Sequence, residues 1–590
     1  MKRLVPFFVT ILALINPVLV ADDIYNPKRE FRSVWLTTAI ALDWPKTEGP
    51  ATQEEELREY IQEAKDIGLN AVIFQVNARA DAMYQSERLP WAPWLTGTPG
   101  EDPGWDPLAV AIEEAHGLGM ELHAWFNVGL VGSDHTPRTD ESDPPHVTYT
   151  NPDWIDRVGT NDWLNLGIPG ARQWQVDNVL EIVENYNIDA VHFDYIRYHH
   201  REGYERDDSL FQEHNPEDIV NINDWRRWNV TQFVKSVYAE IQGVKPWLRV
   251  GSAVIGHYRN IPQFTWGAFY GYTDTYQDGR LWVEEKVHDY LAPMIYWGIG
   301  VSDDSPRFEI ILQDWMQETE TGHIYAGMAP YKEHVHDELY EQIDTVRAKG
   351  AHGGVYFRFD HIRDENTAFE NRYKYPSIIP SMEWKDSLIA PIAAPDNFDF
   401  WWDDEETVLL EWDAPPPPVY GDDLIRYAVY RINAASPPIF PDDLDSGEHL
   451  LSVQADRFIE DTPPISDDPY YYVVTALDRN HSESEPSDAI VLEVTTVPDD
   501  LIAGTYSLYQ NYPNPFNPET NIRFTIPHAE RVTMKVYDML GREVEVLVDE
   551  QMYAGEHTVR FDASQLPSGV YIYRIKAGEF IESKRMIFAK

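Results

Sequence analysis

The 590-residue sequence contains no cysteine. It can therefore form no disulfide bond, and it offers no thiol for nucleophilic catalysis, lipid attachment or soft-metal binding. Basic residues are also scarce: 47 Lys and Arg stand against 99 Asp and Glu, which gives a formal net charge of -52 at pH 7. Nucleic-acid binding is excluded as a function class, because neutralising phosphates needs Lys and Arg clusters that the sequence does not have.

Long apolar runs are also missing, except for one at the N-terminus. Lys2 and Arg3 precede a mostly apolar stretch over residues 4–20, which ends at Ala21 before two aspartates. This order of a basic, an apolar and a small-residue region predicts a secretory signal peptide over residues 1–21. An uncleaved membrane anchor is the weaker alternative, because the stretch has only about the minimum spanning length. We expect no membrane span in the mature protein.

Eight apolar, strand-like runs recur over the first two thirds of the chain, and amphipathic, helix-period stretches lie between them. They are FRSVWLTT (31–38), NAVIFQVN (70–77), MELHAWFN (120–127), IDAVHFDY (188–195), WLRVGSAV (247–254), DYLAPMIYW (289–297), HIYAGMAP (323–330) and GGVYFRF (353–359). Eight strand-helix units are typical of a (β/α)8 TIM barrel, which we place at residues 28–380. The chain is too long for one hydrophobic core, so further domains are expected.

Beyond residue 388 the sequence changes to short alternating strands between turns rich in Pro and Asp. TVLLEW (407–412), RYAVYR (426–431), YYYVVTA (470–476) and residues 489–494 have the spacing of an all-β sandwich. Trp412 on an early strand and the tyrosine-rich strands after it resemble a fibronectin type III module, here over residues 388–497. We expect this module to act as a spacer or to make weak contacts with carbohydrate, and the spacer role is favoured.

The last segment, residues 505–590, carries several distinctive blocks. They are YQNYPNPFNPET (509–520), VYDMLGREV (536–544) and LPSGVYIY (566–573). The patterns alone predict a second small all-β sandwich domain with hairpin turns. The blocks closely resemble the C-terminal sorting domain of the type IX secretion system. This resemblance implies that the secretion machinery recognises the segment and that the protein is secreted or held at the outer cell surface.

Several barrel blocks together resemble one family, the glycosyl-hydrolase-like family 10 group. They are RSVWLTT (32–38), FQVNARADA (74–82), HAWFN (123–127), HFDYIRY (192–198) and APMIYW (292–297). The resemblance implies a barrel that cleaves glycosidic bonds in a polysaccharide or a bacterial glycan strand, including peptidoglycan stripped of its peptides. Bacterial relatives in this group are often lipoproteins, and the lack of cysteine departs from that pattern.

Glycoside hydrolysis needs one carboxylic acid to protonate the leaving oxygen and a second group to support or attack the sugar. Asp194 is the first candidate, because it stands where a buried strand ends in charged residues. Its alternative role is an ion pair with Arg197 that only orders a loop. For the catalytic partner we rank Asp278 slightly above Glu333 and Asp360. The sequence leaves retaining or inverting chemistry open.

Polar and aromatic side chains near the predicted strand ends supply candidate substrate contacts. Flat rings stack on pyranose faces, and charged or amide groups bind sugar hydroxyls. The candidates are Arg79, Asp81, His123, Trp125, Asn127, His192, Arg197, Tyr296, Trp297, Tyr331 and Arg358. For each histidine a role as a satisfied interior imidazole is equally open. A metal held by His123, His192 and Asp194 is a further alternative, but the tight spacing of such sites is missing, so we predict neither metal nor cofactor.

Two other function classes remain beside a secreted glycoside hydrolase. One is a barrel that binds glycans at the cell surface without cleaving them. The other is a chitinase-like enzyme that uses substrate assistance and requires the strand pattern Asp-x-x-Asp-x-Asp-x-Glu. The corresponding positions here are Asp189, His192, Asp194 and Ile196. Isoleucine at the position of the acid argues against the chitinase-like mechanism.

Overall fold

A computed structural model describes residues 26–200, 206–264, 266, 269–300, 305–317, 321–363, 369, 371–386, 391–402, 407–417, 425–494, 506–538, 542–553, 555–578 and 580–589. The predicted signal peptide lies outside these described residues. The chain divides into two compact units, one that ends at Val494 and one that begins at Thr495. The first unit holds a barrel and a β-sandwich, and the second holds the C-terminal domain.

Eight parallel strands close into a barrel in the first unit. They are β1 (Phe31–Leu36), β2 (Ala71–Asn77), β3 (Glu121–Asn127), β4 (Ala190–Asp194), β5 (Arg249–Ile255), β6 (Tyr290–Met294), β7 (Ala326–Met328) and β8 (Gly353–Tyr356). Each strand pairs with the next, and β8 pairs with β1. A two-residue strand, His323–Ile324, extends the seventh position and pairs with β6. The predicted (β/α)8 barrel is confirmed.

Helices surround the barrel and connect its strands. The main ones are α1 (Pro50–Asp66), α2 (Pro107–Gly117), α3 (Pro169–Asn185), α4 (Ile222–Val244), α5 (Gly279–Glu284), α6 (Phe308–Gln317) and α7 (Leu339–Ala348). The first three begin with proline, whose missing N–H has no helical partner at that position. The Asp106 carboxylate also caps α2, because it accepts a hydrogen bond from Ala109 N–H at 3.0 Å.

Short elements shape the loops above and around the strands. A three-stranded antiparallel sheet follows β3, which the sequence analysis missed because its strands are only four residues long; it consists of Leu130–Ser133, Ile155–Val158 and Asn161–Leu164. Short helices of three to seven residues lie at Ala39–Ala41, Pro93–Thr96, Val147–Thr150, Pro152–Trp154, Asp207–Glu213, Gly271–Asp274, Glu333–His336, Phe359–His361 and Glu383–Asp386.

The sandwich follows the barrel and has two antiparallel sheets. One sheet contains Asp396–Trp402, Val408–Asp413 and Phe458–Asp461, and the other contains Leu450–Gln454, Arg426–Asn433, Tyr470–Leu477 and Ile490–Leu492. Because alternate residues of both sheets point inward, apolar side chains such as Val408, Val429 and Val474 are fully buried. The predicted sandwich is present, but its place in the first unit is not that of a spacer.

The sandwich packs directly on the barrel face from which the strands begin. The carboxylate of Asp189, just before β4, accepts hydrogen bonds from Arg426 and Arg479 of the sandwich, each at 3.0 Å. His116 lies 2.7 Å from its other oxygen. At Gly119 the approach is so close that an added Cβ would lie 2.7 Å from the Cα atom of Gln454. The spacer expectation was therefore wrong: buried charges fix the sandwich to the barrel.

The N-terminal segment of the barrel also lies against the sandwich. Pro27 forms an isolated antiparallel bridge with Ser446. The Arg29 guanidinium donates to His481 O at 2.9 Å, a contact between residues 452 positions apart. Lys28 Nζ lies 2.8 Å from the Glu483 carboxylate. The sandwich therefore covers residues 27–29 as well as the base of β3 and β4.

The second unit is a separate β-sandwich with its own core. One sheet contains Ser507–Leu508, Glu519–Ile526 and Gly555–Asp562, and the other contains Glu543–Met552, Glu530–Asp538, Gly569–Ala577 and Phe580–Phe588. Fully buried Phe524, Met534 and Tyr573 form part of this core. Both predicted all-β domains are thus present after the barrel. No helix in the described part of the chain combines the length and apolar character needed to cross a membrane.

Candidate active site

Asp194 is the last residue of β4 and opens into the barrel mouth. In the parallel register it lies beside Asn127, the last residue of β3. Tyr195 adopts a left-handed backbone conformation, with φ at 49°, and its N–H donates to the Asp194 carboxylate at 2.6 Å. A residue other than glycine rarely adopts this conformation, which indicates that the surrounding contacts hold the turn. The turn therefore fixes the carboxyl group at the strand end.

Burial raises the pKa of Asp194 above its ordinary value, while Arg197, the Tyr195 N–H and Arg79 act in the opposite direction without cancelling the rise. The Arg197 guanidinium lies over the Tyr195 ring, 4.6 Å from its centroid, and 6.0 Å from that of Trp163. It is therefore held by aromatic faces. A carboxyl group with a raised pKa beside cations can carry a proton and remains stable after losing it.

Aromatic rings form one wall of the mouth. Tyr296 stacks on Phe357, with ring centroids 6.0 Å apart, and meets Tyr331 edge to face at 6.2 Å. Burial and then the negative charge of Asp194 raise the pKa of Tyr296 well above its ordinary value, because the two groups are close. Lys332 donates to Tyr296 O at 2.8 Å, and its ammonium lies 5.8 Å from the Tyr331 ring centroid. This wall combines exposed ring surface with one cation.

The opposite side of the mouth is polar. Asn127 donates to Ala78 O at 2.9 Å and accepts from the Trp125 indole at 3.0 Å. The next residue, Arg79, has its N–H bonded to Asp81 at 2.9 Å. Arg79 Nε and Asp81 Oδ2 are buried without a hydrogen-bond partner among the described residues, beside a cavity of about 10 Å³ that has room for about one water. The contact that Asp81 makes is therefore with Arg79, and its carboxylate does not face the mouth directly.

His123, His192 and Trp125 lie beneath the mouth, inside the barrel. Both imidazoles are 0% exposed and Trp125 is 3% exposed. All four imidazole nitrogens have a polar partner at 2.8 to 3.0 Å, namely Glu121, Trp35 and, twice, the Tyr290 hydroxyl. This geometry fits the interior imidazoles that the sequence left open beside substrate contact.

The structure does not gather the three candidate partner carboxylates, Asp278, Glu333 and Asp360, around Asp194; Asp360 pairs with Arg358 at 2.9 Å. Asp278 stands just before α5 and accepts a hydrogen bond from Tyr258 Oη at 2.5 Å. Its neighbour Gly279 faces Val254 and Leu291 in the layer between strands and helices, so Asp278 lies outside the mouth. Glu333 is exposed and directly follows Lys332 of the aromatic wall. Of Asp278 and Glu333, only Glu333 adjoins residues of the mouth.

Arg358 and Trp297 lie at the edge of the barrel mouth. Arg358 pairs with the fully buried Asp43 and, at 2.9 Å, with Asp360, so its charge is neutralised within the protein. Trp297 points towards the outer layer and meets His257 edge to face at 5.0 Å.

Sequence reasoning missed three residues of the mouth and its floor. Trp35 and Phe357 were read only as strand residues, although each lies where an inward-facing position meets the mouth; their rings contact each other at 6.1 Å. Lys332 was overlooked between two candidates, Tyr331 and Glu333. Counting inward positions to the end of each strand would have found the first two. Among the described residues, no group of three or more His, Asp or Glu is placed to hold a metal ion.

Comparison with known proteins gives two family matches. The family described as glycosyl hydrolase-like 10 matches residues 30–341, and the secretion system C-terminal sorting domain matches residues 510–589. The chain is 31% identical over 498 residues to glycosyl hydrolase YngK of Bacillus subtilis (strain 168), covering 78% of this chain and 92% of the relative. It is 33% identical over 325 residues to glycosyl hydrolase DigH of Escherichia coli (strain K12), covering 51% and 73%.

Two solved structures match the chain at low identity and low TM-score. The catalytic domain of β-amylase from Paenibacillus polymyxa has a TM-score of 0.40 and 12% identity, covering 59% of this chain and 98% of that one. The α-L-fucosidase isoenzyme 2 from Paenibacillus thiaminolyticus has a TM-score of 0.39 and 11% identity, covering 90% and 98%.

Proposed function

The chain belongs to the glycosyl hydrolase-like 10 family, and we propose that it cleaves O-glycosidic bonds of a polysaccharide or glycan strand by paired-carboxylate acid/base catalysis. The C-terminal sorting domain makes it a secreted or cell-surface protein. The observation that carries the proposal is Asp194, a strand-end carboxyl group whose pKa is raised by burial. It lies between the side of the mouth that carries Arg79 and the wall that contains Tyr296 and Tyr331, an arrangement that suits glycan binding.

Asp194 acts as the general acid in this proposal. Its raised pKa keeps the proton on the carboxyl group at a higher pH than an exposed aspartic acid would allow. The proton passes to the glycosidic oxygen as the bond to the sugar breaks. Arg197 and Arg79 then stabilise the carboxylate that forms, since both act to lower the pKa of Asp194.

Glu333 is the proposed partner carboxylate, in preference to Asp278. Glu333 follows Tyr331 and Lys332, which belong to the wall of the mouth, and it is exposed to water and substrate. The Asp278 carboxylate is bound by the Tyr258 hydroxyl on the helical side of the strands. A carboxylate that activates water or attacks the sugar must reach the mouth.

The substrate contacts follow from the two sides of the mouth. Tyr296 and Tyr331 offer ring faces to a pyranose, and Asn127 with Arg79 offers polar groups to its hydroxyls. Lys332, Arg79 and Arg197 give the mouth local positive charge although the whole chain carries -52. A glycan with isolated carboxylates, such as a denuded peptidoglycan strand, fits this pattern better than a densely anionic polymer does.

The test compares the full chain with its Asp194→Asn, Glu333→Gln and Asp278→Asn variants. Each is incubated with denuded peptidoglycan strands, chitin-type and uronic-acid polymers, and the products are read by mass spectrometry. We expect cleavage by the native chain, loss of at least about 100-fold in both Asp194→Asn and Glu333→Gln, and near-native activity in the matched control Asp278→Asn. Loss in Asp278→Asn with activity kept in Glu333→Gln would reverse the choice of partner.

A glycan-binding barrel without catalysis is the second candidate. It is favoured by one observation: among the described residues, the groups that act on the Asp194 carboxyl are Arg197, the Tyr195 N–H and Arg79, and no second carboxylate is one of them. In that case the native chain binds one of the glycans and cleaves none. Binding retained in Asp194→Asn together with cleavage by the native chain would instead identify the hydrolase.

A further inference from the structure

A continuous series of hydrogen bonds descends from the mouth into the barrel. Trp35 Nε1 donates to His192 Nε2 at 3.0 Å. The other nitrogen of His192, Nδ1, lies 3.0 Å from the Tyr290 hydroxyl oxygen. The same oxygen lies 2.9 Å from His123 Nδ1. These four side chains come from β1, β4, β6 and β3, and none is more than 2% exposed.

The series continues to the face on which the sandwich docks. His123 Nε2 lies 2.8 Å from one oxygen of the Glu121 carboxylate. The other oxygen is 2.8 Å from Nε2 of His481, a sandwich residue, and 2.6 Å from the Arg249 guanidinium. Glu121 is 0% exposed and His481 is 1% exposed. The sandwich thus supplies the last donor of a series that begins beneath the substrate site.

The chemistry of the first donor sets the direction of the whole series. An indole N–H can only donate, so His192 Nε2 accepts and carries no proton. Burial lowers the pKa of His192 well below its usual range, so the ring is neutral and its proton is on Nδ1. That N–H donates to the Tyr290 oxygen, and the Tyr290 proton then points to His123 Nδ1. A neutral His123 donates from Nε2 to the Glu121 carboxylate.

We propose that Glu121 and the sandwich residue His481 are positioning residues for the barrel mouth. Together they hold His123, Tyr290 and His192 in one tautomeric arrangement, and this arrangement fixes Trp35. Trp35 supports Phe357 and, through it, the stacked ring of Tyr296. His192 also points inward from β4 two residues before Asp194. The sandwich therefore helps to position a site that lies on the opposite face of the barrel.

The tautomers are tested by NMR on the full chain with ¹⁵N-labelled histidine. His123 and His192 are assigned from the His123→Gln and His192→Gln variants. We expect a proton on Nδ1 of His192 and on Nε2 of His123 in the native chain. Tyr290→Phe removes only the hydroxyl and should shift both sets of signals. Equal tautomers in the two rings, or unchanged signals in Tyr290→Phe, would overturn the proposal.

The role of the sandwich is tested by two substitutions at one position. His481→Leu removes the donor to Glu121, whereas His481→Gln keeps an N–H in reach of the carboxylate. We expect His481→Leu to shift the His123 signals and to lower kcat about tenfold with KM within about twofold, as expected for misplacement of a site from a distance. His481→Gln should restore both. An equal loss in His481→Gln would mean that the residue acts only through packing.

The effect on kcat rests on the proposed hydrolase function, but the tautomers do not. If the native chain cleaves no glycan, the function fails while the NMR signals still decide whether the series is ordered as proposed. If cleavage occurs and His481→Leu changes neither kcat nor the His123 signals, the positioning role fails while the hydrolase stands.

Discussion

Replacing Asp189 by Asn should destabilise the first unit by about 3 to 5 kcal/mol. The Asp189 side chain is 1% exposed, and its partners Arg426 and Arg479 are 0% and 5% exposed. Asparagine keeps the shape of the side chain and removes its charge. Two guanidinium groups from the sandwich would then be buried against the barrel without the carboxylate that neutralises them. Their uncompensated desolvation lowers the free energy of unfolding.

The pH dependence of this effect has a defined sign. Burial acts to raise the pKa of Asp189, but the charges of His116, Arg426 and Arg479 outweigh it and hold the pKa well below its ordinary value. A lowered folded-state pKa means that the stabilisation is fully present above the unfolded-state pKa of about 4 and is lost as the pH falls towards the folded-state value. The advantage of the native chain over the variant should therefore shrink as the pH falls below about 4.

Urea unfolding followed by tryptophan fluorescence measures this difference. All 20 tryptophans lie at or before position 412, so the signal reports the first unit alone. Asp134→Asn is the matched control, because Asp134 forms an exposed ion pair with Arg157, and its loss should change stability by less than about 0.5 kcal/mol. A loss in Asp189→Asn below about 1 kcal/mol, or no larger than in the control, would refute the account of the docking interface.

Two further predictions concern the mouth and the interface. If Asp194 is the general acid, activity falls as the pH rises through its raised pKa. Arg197→Met removes a group that lowers this pKa and should move the basic limb of the pH–kcat profile upward by about 1 unit. Arg88→Met should leave the limb in place, because Arg88 lies in the loop after β2 and pairs with Asp177 of α3. Gly119→Ala places a Cβ at φ 72° and 2.7 Å from Gln454, so it should lower the free energy of unfolding, measured by urea, by more than about 1 kcal/mol because of strain. Gly117→Ala in α2, with open space around it, should raise this free energy slightly.

The barrel was predictable because each of its strands can be recognised from its own short stretch of sequence. The runs at 31–38, 70–77 and 120–127 contain β1, β2 and β3 within one or two residues, since each is apolar, rich in β-formers and bounded by polar residues. Residues 323–330 were expected as one strand, but the structure breaks it between Ile324 and Ala326. Both pieces pair with β6, and Ala326–Met328 also pairs with β8; a single sequence does not encode such pairing locally.

Asp194 was predictable for the same reason, because a carboxylate at the end of a buried strand must face the mouth. The positions of the candidate partners Glu333 and Asp278 were not, since both follow loops whose path depends on tertiary packing. The hydrogen bonds of His123 were not predictable either. Glu121 lies only two residues before it, but Tyr290 lies on another strand, and only closure of the barrel brings its hydroxyl to 2.9 Å from His123. The docking of the sandwich depends on Arg426 and Arg479, which the sequence presents as ordinary strand and turn residues.

The contact between Arg29 and the sandwich has a consequence for the order in which the chain is built. The residues that hold the start of β1 are 452 positions further along. At about 5 to 20 residues per second, a ribosome needs roughly 20 to 90 s to make them after Arg29 has emerged. During that interval Lys28 and Arg29 cannot form their ion pairs with Glu483, and the base of the barrel is not yet covered by the sandwich. Such long-range closure slows folding, so nascent chains of this protein should depend on assistance until the sandwich has been synthesised.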